Sequence, residues 1–230
     1  MWIVVSPKAT IESATKLANA LKTKVYNPYK QEVPYGNQYH YINYGCSTFN
    51  RHANSRVVNK PFSVNICIDK HAALLTMSKA GVSVPKFTNK KTEAAKWDAD
   101  TVVVCHTKRE GRKNEGIEYR HPDELVNAYV YTEYFHHKRE YRVVVFKNKV
   151  IGIYSKVLDN EGNWDLVKLQ LRGFNEIIKD CEDAAIALQI DYVGFDVVAN
   201  TRKDFRILEA NSGPIITDEA IEAFVEVYGK

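Results

Sequence analysis

Three oxygen-bearing side chains, Asp196, Glu209 and Asn211, stand in two short apolar runs, "YVGFDVVAN" and "FRILEANSGP". Reading the runs as strands of a hairpin, with Thr201 to Asp204 as the loop, sets Asn200 opposite Phe205, Val198 opposite Ile207 and Asp196 opposite Glu209. Side chains alternate along a strand, so Asp196, Glu209 and Asn211 share one face. Two carboxylates facing each other repel unless a cation or a proton sits between them. Two carboxylates and an amide oxygen are hard ligands, the kind Mg²⁺ takes while water and phosphate oxygens complete its octahedron. Asp and Asn near strand ends also serve ordinary turns, and these three residues alone leave that reading open. There is no His/Cys cluster of the kind that binds zinc.

Other charged residues lie where chemistry could use them. Lys70 follows Asp69, a good N-cap, so its cation sits in a first helical turn against the helix dipole. "VVVCHTKREGRKNEG" is a buried strand running into a loop that holds Lys108, Arg109, Arg112 and Lys113 with Gly111 and Gly116. In "YTEYFHHKREYRVVVF", Glu133 ends one strand and Glu140 begins the next. Each has a plain alternative: a solvated lysine, a solvated basic loop, surface charges around a turn.

The elements that must position these residues follow from periodicity and punctuation. "WIVV" reads as a first strand, and Thr10 to Lys22 as a helix with Leu17 and Leu21 on its inner stripe. Residues 26–56, rich in Tyr, Asn and Pro, look irregular around a strand at "YHYINYG". A helix runs from Asp69 to Gly81; "DTVVVCH" is a strand; "PDELVNAY" is a short helix opening on Pro122. "VYTEYF", then "YRVVVFKN" with "KVIGIYSKV" in a hairpin over Lys147-Asn148, a helix over 175–189, the two final strands and a helix from Thr217 complete the chain. That last helix should bury Ile221, Phe224, Val225 and Tyr228. The class is α/β or α+β.

Composition bounds the rest. With 230 residues, 45% hydrophobic and 26% charged, the chain has the profile of a soluble globular protein. No apolar run approaches the roughly 20 residues of a membrane helix, and the N-terminal strand is too short and too soon broken by Pro7 to be a signal peptide. Cys46, Cys67, Cys105 and Cys181 are scattered, which favours a reduced, cytoplasmic setting. A net charge of +4 suits phosphate ligands, and the cations at 108–113 are not interleaved with aromatic residues as a nucleic-acid surface would be.

Taken in order, "DK…AGVSVPKF", the strand and glycine-containing loop, "EYF…EYRVVVF", "GFDVV" and "ILEANSGP" resemble the ATP-grasp superfamily of carboxylate–amine ligases. The last two motifs are the most specific, and the likeness covers roughly residues 66–230. It is strongest to short RimK-like and phage-type members, which would place the protein in a host cytoplasm if it is viral. The resemblance implies two subdomains gripping ATP, at 66–130 with a lid and 131–230 with a metal site, behind a reduced N-terminal α/β domain at 1–65. It implies Asp196, Glu209 and Asn211 as ligands of Mg²⁺, with Mn²⁺ as a substitute, and Lys70 as a phosphate-binding lysine. Glu133, Tyr134 and Phe135 would form the adenine hinge and Glu140 the ribose acid. Arg142 and Lys156 would lie beside the phosphates or an acylphosphate. The substrates would be a carboxylate and an amine, small molecules or peptides, without nucleic acid or membrane; oligomeric state is left open. One departure concerns the family's second phosphate lysine, which falls at Cys105 in this alignment, so that Lys108 or Arg109 would have to substitute. That departure keeps a non-catalytic nucleotide-binding module as the rival reading.

Overall fold

The first strand pairs with its neighbours in parallel, as a short buried apolar run allows. β1 (Trp2–Val5), α1 (Ile11–Ala20), β2 (Val25–Tyr26), β3 (His40–Asn43) and β4 (Val57–Val58) form an N-terminal unit whose parallel sheet has the order β2-β1-β3-β4. The structure is a computed structural model that describes residues 1–7, 10–108, 115–158 and 164–229.

Two helices follow end to end, α2 (Pro61–Ile68) and α3 (Lys70–Lys79). Asp69 separates them, and its carboxylate accepts the Ala72 N–H at 3.0 Å, so α3 opens where the sequence predicts. α2 was not expected. It lacks an apolar stripe of helical period, and Pro61 in its first turn is its one start signal. The expected division between residues 65 and 66 falls inside it.

β5 (Phe87–Thr88), α4 (Lys91–Ala94), β6 (Val103–His106), β7 (Ile117–Arg120) and β8 (Val130–Glu133) build a second, antiparallel sheet in the order β5-β8-β6-β7. The helix expected at "PDELVNAY" is a turn followed by irregular chain. Leu125 is buried beside Cys105 and Tyr131. The Tyr131 hydroxyl takes the Ala128 N–H at 3.0 Å and donates to the Val126 carbonyl at 2.9 Å. Those side-chain bonds satisfy backbone groups that a helix would otherwise use.

The third sheet is antiparallel throughout. β9 (Arg139–Phe146) and β10 (Lys149–Leu158) form the expected hairpin, with Lys147 and Asn148 both at positive φ, as a two-residue turn requires. β11 (Trp164–Leu169) was not anticipated. α5 (Asn175–Ala187), β12 (Tyr192–Ala199) and β13 (Phe205–Asn211) follow, and the order is β11-β10-β9-β12-β13. α6 (Asp218–Tyr228) is capped by the Thr217 hydroxyl; Phe224 is buried, but Val225, expected inward, is exposed.

Alternation sorts this sheet into two faces. Tyr141, Val143, Phe195 and Val197 pack with α3 and α5 in one core. Val144, Phe146 and Tyr192 pack with α1 and α6 in another. Asn59 ties the N-terminal unit to the sheet. Its amide donates to the Tyr192 and Ser212 carbonyls, and its oxygen accepts the Asp191 and Tyr192 N–H groups. The Tyr44 hydroxyl donates to the Pro214 carbonyl just beyond β13. No helix among the described residues is long and apolar enough to cross a membrane.

Candidate functional site

The β12–β13 register decides whether the two carboxylates meet. Near the loop, Ala199 pairs with Phe205 and Val197 with Ile207, one step from the expected register, so the loop is Asn200 to Asp204. A bulge then intervenes, and Asp196 pairs with Glu209 as predicted. The extra residue is Leu208. A bulge presents two neighbours to one side of the sheet, and both Leu208 and Glu209 line the same cleft as Asp196. Asn211 pairs with Gly194, two pairs further and so on the same face, but is not part of the cleft lining.

The cations come from β9 and β10. Arg142 lies opposite Asp196 and grips it with two bonds, Nε to Oδ1 at 2.7 Å and Nη2 to Oδ2 at 3.3 Å. Gly194 makes room for that grip, since a Cβ there would stand 3.0 Å from Cδ of Arg142 and 2.8 Å from Pro214. Lys156 sits 3.1 Å from Glu140 and 3.9 Å from Asp196. Burial raises the pKa of Glu140, but bonds from His137 and Lys156 outweigh it and hold the group below the ordinary carboxylate value.

The facing wall belongs to α3 and the second sheet. Burial lowers the pKa of the Lys70 ammonium, while Glu209 and Asp196 pull it the other way. The expected repulsion between those carboxylates is thus offset by Lys70, Arg142 and Lys156 together. His106, which no sequence signal singles out, also lines the cleft; its Nε2 is 3.2 Å from the Thr132 hydroxyl. Burial first, and the Lys70 charge second, push His106 down to about 3.

Two residues expected at or near the phosphate grip, Cys105 and Lys108, lie outside the cleft lining. Cys105 is fully buried with Val103, Leu125 and Tyr131 on the far side of β6, and burial raises its thiol pKa. Val104 and His106 are the residues of β6 that line the cleft, so a cation at Cys105 could not reach a ligand there. Lys108 is exposed and paired with Glu115 at 3.1 Å rather than turned into the cleft. Arg109, like most of the expected lid, lies outside the described residues.

Glu133, Tyr134 and Phe135 line the opening where β8 passes toward β9. The Tyr134 N–H donates to the Val102 carbonyl at 2.8 Å, and the Arg206 guanidinium lies 4.8 Å over the Phe135 ring. Glu140 and Lys156 complete this side of a cavity of about 250 Å³ between the second and third sheets. Among the described residues no three His, Cys, Asp or Glu side chains form a metal-holding group. The donor chemistry of Asp196 and Glu209 nevertheless fits a hard divalent ion whose remaining ligands come from phosphate and water.

Solved structures match this arrangement over almost its whole length. A complex described as ATP-grasp ligase PsnB with a minimal precursor superposes with a TM-score of 0.73 at 14% identity, covering 99% of each chain. The chain has the ATP-grasp fold. D-alanine–D-alanine ligase from Bacillus anthracis matches with a TM-score of 0.66 at 13% identity, over 100% of this chain and 97% of the other. The macrocyclase MdnC from Microcystis aeruginosa MRC, bound with precursor peptide MdnA, matches with a TM-score of 0.66 at 10% identity over 98% and 99%. No family model and no curated protein matches the sequence.

Proposed function

We propose that the protein is an ATP-dependent ligase, ADP-forming and Mg²⁺-dependent, that joins a carboxylate to an amine on a peptide substrate. The observation that carries this is the convergence of Lys70, Glu140, Lys156, Asp196 and Glu209 on one cleft between the two sheets of an ATP-grasp fold. The neighbours support a peptide: PsnB and MdnC are described as complexed with precursor peptides. PsnB with Mg and ADP, and the D-alanine ligase with ATP, support the nucleotide and the ion. The short RimK-like character rests on the sequence motifs and on the small N-terminal unit.

In this reading Glu133 to Phe135 hold the adenine edge and Glu140 accepts from the ribose hydroxyls. Lys70, Arg142 and Lys156 spread the charge of the transferring phosphoryl group. Asp196 and Glu209, with Asn211 beside them, would hold the ion, which when bound would supply positive charge to offset that of the phosphates. Arg142 and Lys156 now pair with Asp196 and Glu140, so nucleotide entry redistributes cations already in place. A substrate carboxylate takes the phosphoryl group as an acylphosphate, an amine displaces phosphate, and a closed lid keeps water out.

The test combines ADP release with product mass under magnesium or manganese. Asp196→Asn should bind ATP but turn over at least about 100-fold more slowly, since it removes charge that acts in the transition state. ADP release at full rate without any amine acceptor would make the protein an ATPase or kinase. One observation favours a second reading, a nucleotide-binding module without catalysis: β6 turns Val104 and His106, and no lysine, toward the cleft. ATP binding with no product from any peptide pool would support it.

A further inference from the structure

A second cavity, of about 540 Å³, opens at the N-terminal end of α5, where Arg139, Arg172 and Arg202 surround Tyr141, Ser155 and Phe174. It stands back to back with the nucleotide cleft. At the start of β9, Arg139 lines this cavity, Glu140 lines the cleft, and Tyr141 borders both. Among the described residues none of the three arginines has a carboxylate within ion-pair distance, whereas neighbouring Lys203 and Arg206 face Glu176 and Asp204.

Arg202 is held without an acid. Its guanidinium lies 4.4 Å over the Phe174 ring and donates to the Arg172 carbonyl at 3.5 Å. Gly173, at φ +85°, gives it the room, because a Cβ there would stand 2.2 Å from Nη1. Three like charges gathered in a concavity repel one another, and an anion removes that cost. Guanidinium groups take carboxylates two bonds at a time. The volume exceeds what one carboxylate fills and lies in the range of ligand pockets that hold larger molecules. The aromatic residues here, Tyr141 and Phe174, are buried, so no ring face is open for a base to stack on.

We propose that this cavity binds an acidic segment of a peptide through Arg139, Arg172 and Arg202. Binding in this cavity needs neither nucleotide nor turnover. The test is calorimetric titration of nucleotide-free protein with hexaglutamate, inorganic phosphate and a short oligothymidylate. The parent should bind hexaglutamate best and lose affinity as salt rises. The double variant Arg139→Ser with Arg202→Ser should bind it about tenfold or more weakly, the loss expected when charge-assisted bonds go, at an unchanged melting temperature. Absence of hexaglutamate binding by the parent would overturn the proposal. So would equal binding by a correctly folded double variant, or oligothymidylate or phosphate binding as tightly as hexaglutamate.

Discussion

Lys70 and His106 share the inner wall of the cleft, and burial works against the charge of each. For His106 the sign is definite. Its folded pKa lies near 3, below its ordinary value of 6.5, so the unfolded chain takes up the proton first. Its contribution to stability is complete above pH 6.5 and is lost as pH falls toward 3. We expect urea midpoints measured between pH 7 and pH 4 to drop more steeply for the parent than for His106→Gln. The slope difference should approach about 1.4 kcal/mol per pH unit. The two carboxylates were legible in the sequence because they lie on two predictable strands joined by a short loop, which sets Asp196 opposite Glu209. His106 was not, because "CHTKREG" reads as the beginning of a loop and only the strand's alternation shows which way the ring turns.

At the scale of the element, β6 settles a question that the alignment of motifs could not. Counting along a motif placed the missing lysine at Cys105, but the alternation of a four-residue strand turns that side chain into the core behind the sheet. Cys105→Lys should therefore cost at least about 3 kcal/mol, because it buries an unpaired ammonium. Val104→Lys, on the cleft side, should fold and tighten ATP binding in calorimetry. Equal stability of the two variants would show the assignment of faces to be wrong. β13 shows the opposite case. The expected hairpin register fails beside the loop yet holds at Asp196, because the bulge at Leu208 absorbs the difference. Bulges leave no signature in hydrophobic alternation when both neighbours face a half-open cleft. α2 escaped for a related reason: the apolar residues of this short helix are spread around it and give no helical period to detect.

At the scale of the molecule, the fold was legible where segments are long and periodic, and less so in the N-terminal unit, whose two-residue strands β2 and β4 carry almost no pattern. That unit is nonetheless fastened by specific groups. Asn59→Leu would leave two N–H groups and two carbonyls without their side-chain partner, and would place a bulky residue at φ +57°. We expect a loss of about 3 kcal/mol or more in urea unfolding, with nucleotide affinity the more sensitive readout if the unit detaches locally. The Tyr44–Pro214 bond has a further consequence, in time rather than in energy. Its partners are 170 residues apart, and those of the Asn59–Tyr192 bond 133. Contacts of such separation close late, after local hairpins such as β9–β10 have formed. Refolding should therefore show amide protection in the third sheet first, and the chain should pass through a species whose N-terminal unit is still unattached.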